Sequence, residues 1–280
     1  MSFYITTLTI AGSDCCGGAG IQADIKTMSS LGVYATSVIS SITVQNTCGV
    51  EAVYAVEPQI VSGQIRSIMT DFDIRFAKIG MVNDCSTITA IADVLDSYPI
   101  PFLIIDPVMV SSSGTRLMQA DALSTFCQKL LPKAKLVTPN IPEAEILSSM
   151  TIRDATDMKK AAGKIMESGC PNVLIKGGHL PGKTKTDYLF IQGSAGRMEE
   201  LSFTEETVCT ENTHGTGCTL SSAITAYLAR GNKLEEAVSL AKNYVHRALV
   251  EGCDVKTGHG HGPLDHFFAP EKLIKRMNYE

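Results

Sequence analysis

Short β-branched runs alternate with helix-period stretches along this chain, and that alternation leaves few folds open. Residues 5–11, 36–44, 75–79, 102–105, 135–138 and 172–176 read as strands, and the β-branched run 36–44 reads as a buried one. Between them lie helices. One carries Ile21, Ile25, Met28 and Leu31 on one face. Another opens at Pro58 and carries Ile60, Val61, Ile65, Ile68 and Met69, and a third turns Ile88, Ile91, Ala92 and Leu95 inward. Residues 121–131, a short stretch near Glu143, and 154–168 up to Gly169 follow the same period, and two long helices cover 219–229 and 234–250. Residues 188–192 and 198–203, joined by the glycine-punctuated 193–196, read as an antiparallel hairpin.

Strands that alternate with helices need right-handed crossovers, which give a mostly parallel sheet covered on both faces. The expectation is therefore a three-layer α/β/α architecture with one antiparallel hairpin. No repeat, low-complexity tract or Pro/Ser-rich linker breaks the pattern, so residues 1–280 read as a single domain. Ligands of such sheets bind outside the carboxyl ends of the strands. The residues just past the predicted strands are Asp14, Gln45, Met81, Asp106, Asn140 and Lys176.

Composition narrows the partners. The formal net charge is −5 and there is no basic run, which argues against nucleic acid or an anionic membrane as the main partner. The apolar stretch near the N-terminus has no basic flank and is too short to span a bilayer. Nine scattered cysteines, an odd number with no C-x-x-C pair, fit reduced thiols in a cytoplasm better than a disulfide framework.

The densest chemistry lies at Asn212-Thr213-His214-Gly215-Thr216-Gly217-Cys218, a polar glycine turn that opens into an apolar helix. Unpaired N–H groups in a helix's first turn and the helix dipole together favour an anion. Cys218 sits in that turn, where a thiolate is favoured. Two nucleotide motifs compete. The turn after the first strand carries Gly12, Gly17, Gly18 and Gly20, a spacing that does not match G-x-G-x-x-G. Residues 177–184 do satisfy G-x-x-x-x-G-K-[ST], but a P-loop must open into a helix, and a strand pattern follows here. Asp106 and Glu143 are the hard oxygen donors Mg²⁺ takes, and Lys176 is placed to neutralise phosphate. Gln45 offers a paired donor and acceptor to a heterocycle edge. Each of these also has an ordinary explanation as a cap or a strand-end charge; their convergence on one sheet edge points to a site.

These residues carry a resemblance. The stretches 9–14 and 17–27, Val44-Gln45-Asn46-Thr47, Lys78-Ile79-Gly80-Met81, Asp106-Pro107-Val108-Met109-Val110, 138–145, Lys176-Gly177-Gly178-His179, 212–218 and 262–267 resemble hydroxymethylpyrimidine/phosphomethylpyrimidine kinases of the ribokinase-like superfamily. The resemblance implies ATP- and Mg²⁺-dependent phosphorylation of 4-amino-5-hydroxymethyl-2-methylpyrimidine and then of its monophosphate, in thiamin synthesis, by a homodimer. It places Gly12, Asp24, Val44, Gln45 and Met81 on the pyrimidine and Asn140, Lys176, Thr213 and Gly217 on the ATP phosphates. Glu143 and Asp106 fall on Mg²⁺, and Gly215, Thr216, Gly217, Cys218 and Lys176 at the transfer itself. Cys218 stands where sugar kinases of the superfamily place an aspartate base, so it is expected to accept the substrate proton.

Cys15-Cys16 departs from the pattern and reads as two small turn residues. His259, His261 and His266 have no zinc-like spacing. The rival functions are a vitamin B6 (pyridoxal) kinase or a dual-specificity enzyme, a sugar kinase, a pyrimidine binder without catalysis, and a P-loop NTPase.

Overall fold

The computed structural model describes residues 2–110, 114, 117–178, 182–193 and 197–277. The chain begins with β1 (Ser2–Tyr4), β2 (Thr6–Ser13), α1 (Gly20–Ser30), β3 (Tyr34–Asn46), β4 (Gly49–Ala55) and α2 (Pro58–Asp71). It continues through β5 (Phe76–Ile79), α3 (Cys85–Ser97), β6 (Phe102–Ile105), α4 (Ala122–Thr125), β7 (Leu136–Val137), α5 (Ile141–Ser148) and α6 (Ala155–Met166). The last part holds β8 (Asn172–Ile175), β9 (Thr184–Gln192), β10 (Met198–Glu206), α7 (Thr216–Ala229), α8 (Leu234–Glu251) and β11 (Lys275–Met277).

Nine strands form one sheet in the order β10-β9-β8-β7-β6-β5-β2-β3-β4. The run from β8 to β3 is parallel, and β4, β9 and β10 join antiparallel at its two edges. Residue alternation assigns each strand to two cores. Leu103 and Ile105 of β6, Val137 of β7, and Val173 and Ile175 of β8 pack with α2, α3 and α6 on one face. Ile104, Leu136 and Leu174, the residues between them, face α1, α7 and α8 on the other. Consecutive apolar residues in a strand thus serve opposite layers, which is why these runs are continuous. The layered α/β architecture and the antiparallel hairpin expected from the sequence are both present.

Several details differ from the sequence reading. One face of the second half of β3 is bare: Ile42 and Val44 are each 52% exposed while Ser41 and Thr43 beside them are buried, and Tyr54, opposite Ile42 in register, is 70% exposed. This half pairs with the edge strand β4, which the sequence reading did not include. The small β1–β11 pair was also unforeseen. The helix expected at 121–131 starts as α4 but widens into a π turn at Phe126–Leu130 and a 3-10 turn at Leu131–Lys133, where Pro132 cannot donate. Of the α1 stripe, Ile21, Met28 and Leu31 are buried and Ile25 is half-buried. The hairpin strands β9 and β10 run longer than expected, and residues 194–196 of their connection lie outside the described residues, as do 179–181. Among the described residues no helix is long and apolar enough to cross a membrane.

The six parallel strands end on one edge of the sheet; Asp14, Met81, Asp106, Asn140 and Lys176 follow those ends, and Gln45 lies at the end of β3 beside them. The amino end of α7 arrives at the same edge, because α7 packs over β2, β5 and β6. Phe126, fully buried at the widened turn, anchors the opposite core. Phe126→Ala is expected to destabilise the protein by about 3–5 kcal/mol, read as a lower urea midpoint at unchanged slope.

Candidate active site

Two lysine–carboxylate pairs lie beneath the first turns of α7. Lys78 Nζ stands 2.8 and 2.9 Å from the two oxygens of Asp24, and both side chains are fully buried. Thr9 Oγ1 donates to Asp24 at 2.5 Å and Ser222 Oγ of α7 at 2.6 Å. Burial alone would strip the Lys78 proton, but the Asp24 charge outweighs it and holds the pKa above the ordinary lysine range. Asp24 is therefore enclosed beneath α7 with no exposed surface, its oxygens held by Lys78, Thr9 and Ser222. Lys78 was not singled out from the sequence, although a lone lysine inside an apolar strand signals a buried counter-charge.

The second pair is Lys176 and Asp106. Lys176 Nζ is 2.8 Å from Asp106 Oδ1, which also accepts from Thr138 Oγ1 at 3.2 Å, while Ser221 Oγ donates to Oδ2 at 3.4 Å. Burial would raise the Asp106 pKa, but the Lys176 and Lys78 ammoniums lower it overall. Glu143 Oε2 lies 4.0 Å from Lys176 Nζ. Its pKa is pushed up to about 7, first by burial and then by the Asp106 charge, against the pull of Lys176. Asn140 and Glu143 form a capping box on α5: Asn140 N–H donates to Glu143 Oε2 at 2.8 Å and Glu143 N–H to Asn140 Oδ1 at 2.9 Å. This ordinary capping role coexists with a place beside Lys176, since Asn140 bridges Lys176 in parallel register.

Gly215 starts α7 with φ 85°, the left-handed region, and a Cβ there would run into the Gly18 carbonyl. The first intrahelical bond is Thr219 N–H to Gly215 O at 2.9 Å, so the N–H groups of Gly217 and Cys218 precede the ladder. A Cβ on Gly217 would stand 3.3 Å from Lys176 Nζ and 3.6 Å from Asp106 Oδ2. The helix start and the second ion pair thus meet at Gly217. Thr216 is half-buried, and Thr213, just before the turn, is exposed. The surroundings of Cys218 work against the thiolate expected there. Burial, joined by the Asp24 and Asp106 charges, pushes the thiol up to about 11, despite Lys78 and the Gly20 N–H.

On the other side of α7 lies the glycine turn. Asp14 is 2% exposed and accepts N–H bonds from Cys16 (3.0 Å), Gly18 (3.0 Å) and Ala19 (2.8 Å). His214 Nε2 is 2.8 Å from Asp14 Oδ2 and 3.2 Å from the Gln45 side-chain amide. Gln45 follows a register shift in β3 after Val44, a bulge that re-aims its side chain. A Cβ on Gly12 would collide with Met81, which places Gly12 and Met81 in contact. Gly12, Gln45 and Met81 are brought together with the α7 turn; Val44 lies outward on β3.

The other sequence motifs resolve plainly. Cys15 donates to Gln45 O at 2.9 Å, and Cys16 lies 3.4 Å from Asp14 Oδ2, its thiol pushed up to about 11 by burial and that carboxylate. The residues Gly177-Gly178…Gly182-Lys183-Thr184 lead into β9 instead of a helix, with Lys183 exposed, so P-loop geometry is missing. His266 is buried against Thr219 Oγ1 at 3.0 Å and burial lowers its pKa to about 4, while His261 Nδ1 meets Glu211 O at 3.2 Å; these histidines do not share a site. Asp14, Cys16 and His214 do gather ligand-type atoms within 4.8 Å, but Asp14 already spends both oxygens on backbone N–H groups.

Removing one member of a buried pair strands the other charge. Lys78→Ala should cost about 3–5 kcal/mol of unfolding free energy, and the apolar double replacement Lys78→Met with Asp24→Leu should lie closer to wild type, both by urea titration. Glu143 yields a pH prediction. The native state keeps a proton until about pH 7 that an unfolded Glu releases near 4.5, so the contribution of Glu143 to stability falls as pH rises through that window. Glu143→Gln, which keeps the capping box, should therefore gain on wild type as pH rises from 5 to 7 and hold that gain at pH 8, measured by thermal melts across this range.

The model of the phosphomethylpyrimidine kinase family matches residues 14–265. A Rhizobium meliloti (strain 1021) protein named hydroxymethylpyrimidine/phosphomethylpyrimidine kinase is 47% identical over 266 residues, 93% of this chain and 96% of that protein. The crystal structure of phosphomethylpyrimidine kinase from Clostridium difficile 630 is 43% identical with a TM-score of 0.75, covering 87% of this chain and 99% of that one. The pyridoxal kinase of Staphylococcus aureus in complex with AMP-PCP and pyridoxal is 32% identical with a TM-score of 0.81, covering 94% and 93%. With a sheet edge built to meet an anion at the start of α7, and with these likenesses over most of its length, the chain belongs to the phosphomethylpyrimidine kinase family.

Proposed function

We propose that this chain phosphorylates the hydroxymethyl group of 4-amino-5-hydroxymethyl-2-methylpyrimidine from ATP, and then the resulting monophosphate, as a step of thiamin biosynthesis. The observation that carries this reading is the meeting of Gly217, Lys176 and Asp106 at the amino end of α7, whose preceding turn holds His214 beside Gln45. The names of the Rhizobium and Clostridium relatives support the substrate, and the AMP-PCP complex of the Staphylococcus neighbour supports ATP.

Phosphoryl transfer asks for positioning and charge stabilisation more than for covalent work. The N–H groups of Gly217 and Cys218, at the turn formed by Gly215 and Thr216, hold the migrating group. Lys176 swings between Asp106 and the phosphates, with Asn140 and Thr213 lining the nucleotide side. Asp106 and Glu143 offer oxygens suited to Mg²⁺; because Asp106 Oδ1 is engaged by Lys176 and Glu143 by Asn140 N–H, they fit a hydrated ion held through its waters. Mg²⁺ supplies neutralisation of phosphate charge when bound. Cys218 acts as a neutral thiol that orients the hydroxymethyl oxygen.

The chain works as one kinase unit, built on one sheet. The bare apolar residues Ile42, Val44 and Tyr54 on the β3–β4 hairpin give a homodimer its contact surface. Nine unpaired cysteines suit a reducing cytoplasm.

Two measurements test the reading. An ATP-consumption assay with the pyrimidine, its monophosphate and pyridoxal side by side should give turnover on the first two; turnover on pyridoxal alone would replace the assignment with a vitamin B6 kinase. Cys218→Ala should lose less than the roughly 10²-fold floor for removal of a general base, and Cys218→Ser less still. A loss of 10³-fold in kcat for the alanine variant would restore the base role.

A further inference from the structure

Which end of the Gln45 amide is the donor follows from its partners. The two ends of an amide are alike in size and are told apart only by what they bond. His214 Nε2 is 2.8 Å from Asp14 Oδ2, and that carboxylate already accepts N–H bonds from Cys16, Gly18 and Ala19. An acceptor so supplied is ionised, and burial, which alone would raise its pKa, is outweighed by these partners, so that the carboxyl is held well below the usual range. A proton must then sit on His214 Nε2. Gln45 Nε2 stands 3.2 Å from that same nitrogen and Oε1 3.3 Å from Thr43 Oγ1, a placement that sets two donors face to face. Exchanging the two ends of the amide resolves it: the carbonyl oxygen shares the His214 N–H with Asp14 Oδ2, and the NH₂ donates to Thr43 Oγ1, whose own proton goes to Ser13 O at 2.8 Å. With this one orientation each of these bonds has a donor and an acceptor.

The imidazole is held mechanically as well. A Cβ on Gly18 would run into the His214 ring, and Pro263 packs within 3.2 Å of that same point. The His214 N–H donates to Gly262 O at 3.1 Å. The ring is clamped between the glycine turn and the 262–263 segment, so it cannot turn away to release the amide.

We propose that Asp14 and His214 are positioning residues that set substrate specificity, by fixing the Gln45 amide with its oxygen toward the imidazole and its NH₂ toward Thr43. This rests on the reading of Gly12, Gln45 and Met81 as the substrate pocket. Gln45 keeps one oxygen lone pair and one N–H for the ligand, in a set order. That order matches the edge of a 4-aminopyrimidine, where the exocyclic amine donates to the oxygen and the adjacent ring nitrogen accepts from the NH₂. A 4-oxopyrimidine edge presents the reverse, a carbonyl facing the oxygen and a ring N–H facing the NH₂, and is rejected at both positions. A free amide could rotate and accept either.

The test compares 4-amino-5-hydroxymethyl-2-methylpyrimidine with its 4-oxo analogue as phosphate acceptors. Wild type should favour the amino compound by at least about 10² in kcat/KM. His214→Leu should lower that ratio about tenfold, mainly through a higher KM for the amino compound with kcat nearly unchanged, and Gly18→Ala, which displaces the ring without altering a polar group, should do the same. His214→Gln, whose terminal NH₂ reaches the place of imidazole Nε2, should restore the ratio. A long-range ¹H–¹⁵N spectrum of the wild-type protein should show the proton of His214 on Nε2. An unprotonated Nε2, or a ratio indifferent to His214→Leu and Gly18→Ala, overturns the proposal while leaving the kinase assignment intact. Absence of turnover on both pyrimidines in wild type would instead remove the assignment beneath it.

Discussion

Two buried lysine–carboxylate pairs under one helix govern this structure. Lys78–Asp24 and Lys176–Asp106 are reached from α7 by neighbouring hydroxyls, Ser222 to the first carboxylate and Ser221 to the second. A buried charge is costly unless paired and hydrogen-bonded, so each carboxylate dictates where its lysine and its serine must stand. The amino end of α7 is thereby fixed over the strand ends, where its unpaired N–H groups act. The pairs differ in what they leave available. Lys78–Asp24 is sealed, with side chains showing no surface, whereas the Lys176 side chain keeps 14% exposure. One pair sets the floor of the site, and the other offers a cation at its rim.

The same electrostatics decide the state of Cys218. Desolvation and the Asp24 and Asp106 charges raise its pKa, while the Lys78 ammonium and the Gly20 N–H pull it down, and the thiol is left above the ordinary range. The proposed transfer accordingly leans on the backbone N–H groups and Lys176, which suits a loose transition state that asks little of a base.

Much of this was legible beforehand. Strand ends were read from apolar runs stopping at polar residues, and because a parallel sheet gathers those ends on one edge, Asp106, Lys176, Gln45 and Met81 could be grouped without coordinates. The glycine turn and the polar start of α7 were equally plain. What stayed hidden depended on contacts between distant residues. The buried pairing of Asp24 with Lys78, 54 positions away, is one such contact. His214 was part of a motif but had no role until the fold laid it beside Asp14, 200 positions off. The bare face of β3 at Ile42 and Val44 was misread because a β-branched run looks alike whether both its faces are covered or only one.

The central claim is that the amino end of α7 delivers a phosphoryl group to a pyrimidine hydroxymethyl. It is tested most directly by following ATP and 4-amino-5-hydroxymethyl-2-methylpyrimidine with the wild-type protein by ³¹P NMR. The account predicts a phosphomonoester resonance, its conversion to a diphosphate ester, and matching formation of ADP. ATP hydrolysed to free phosphate with no pyrimidine ester would contradict it.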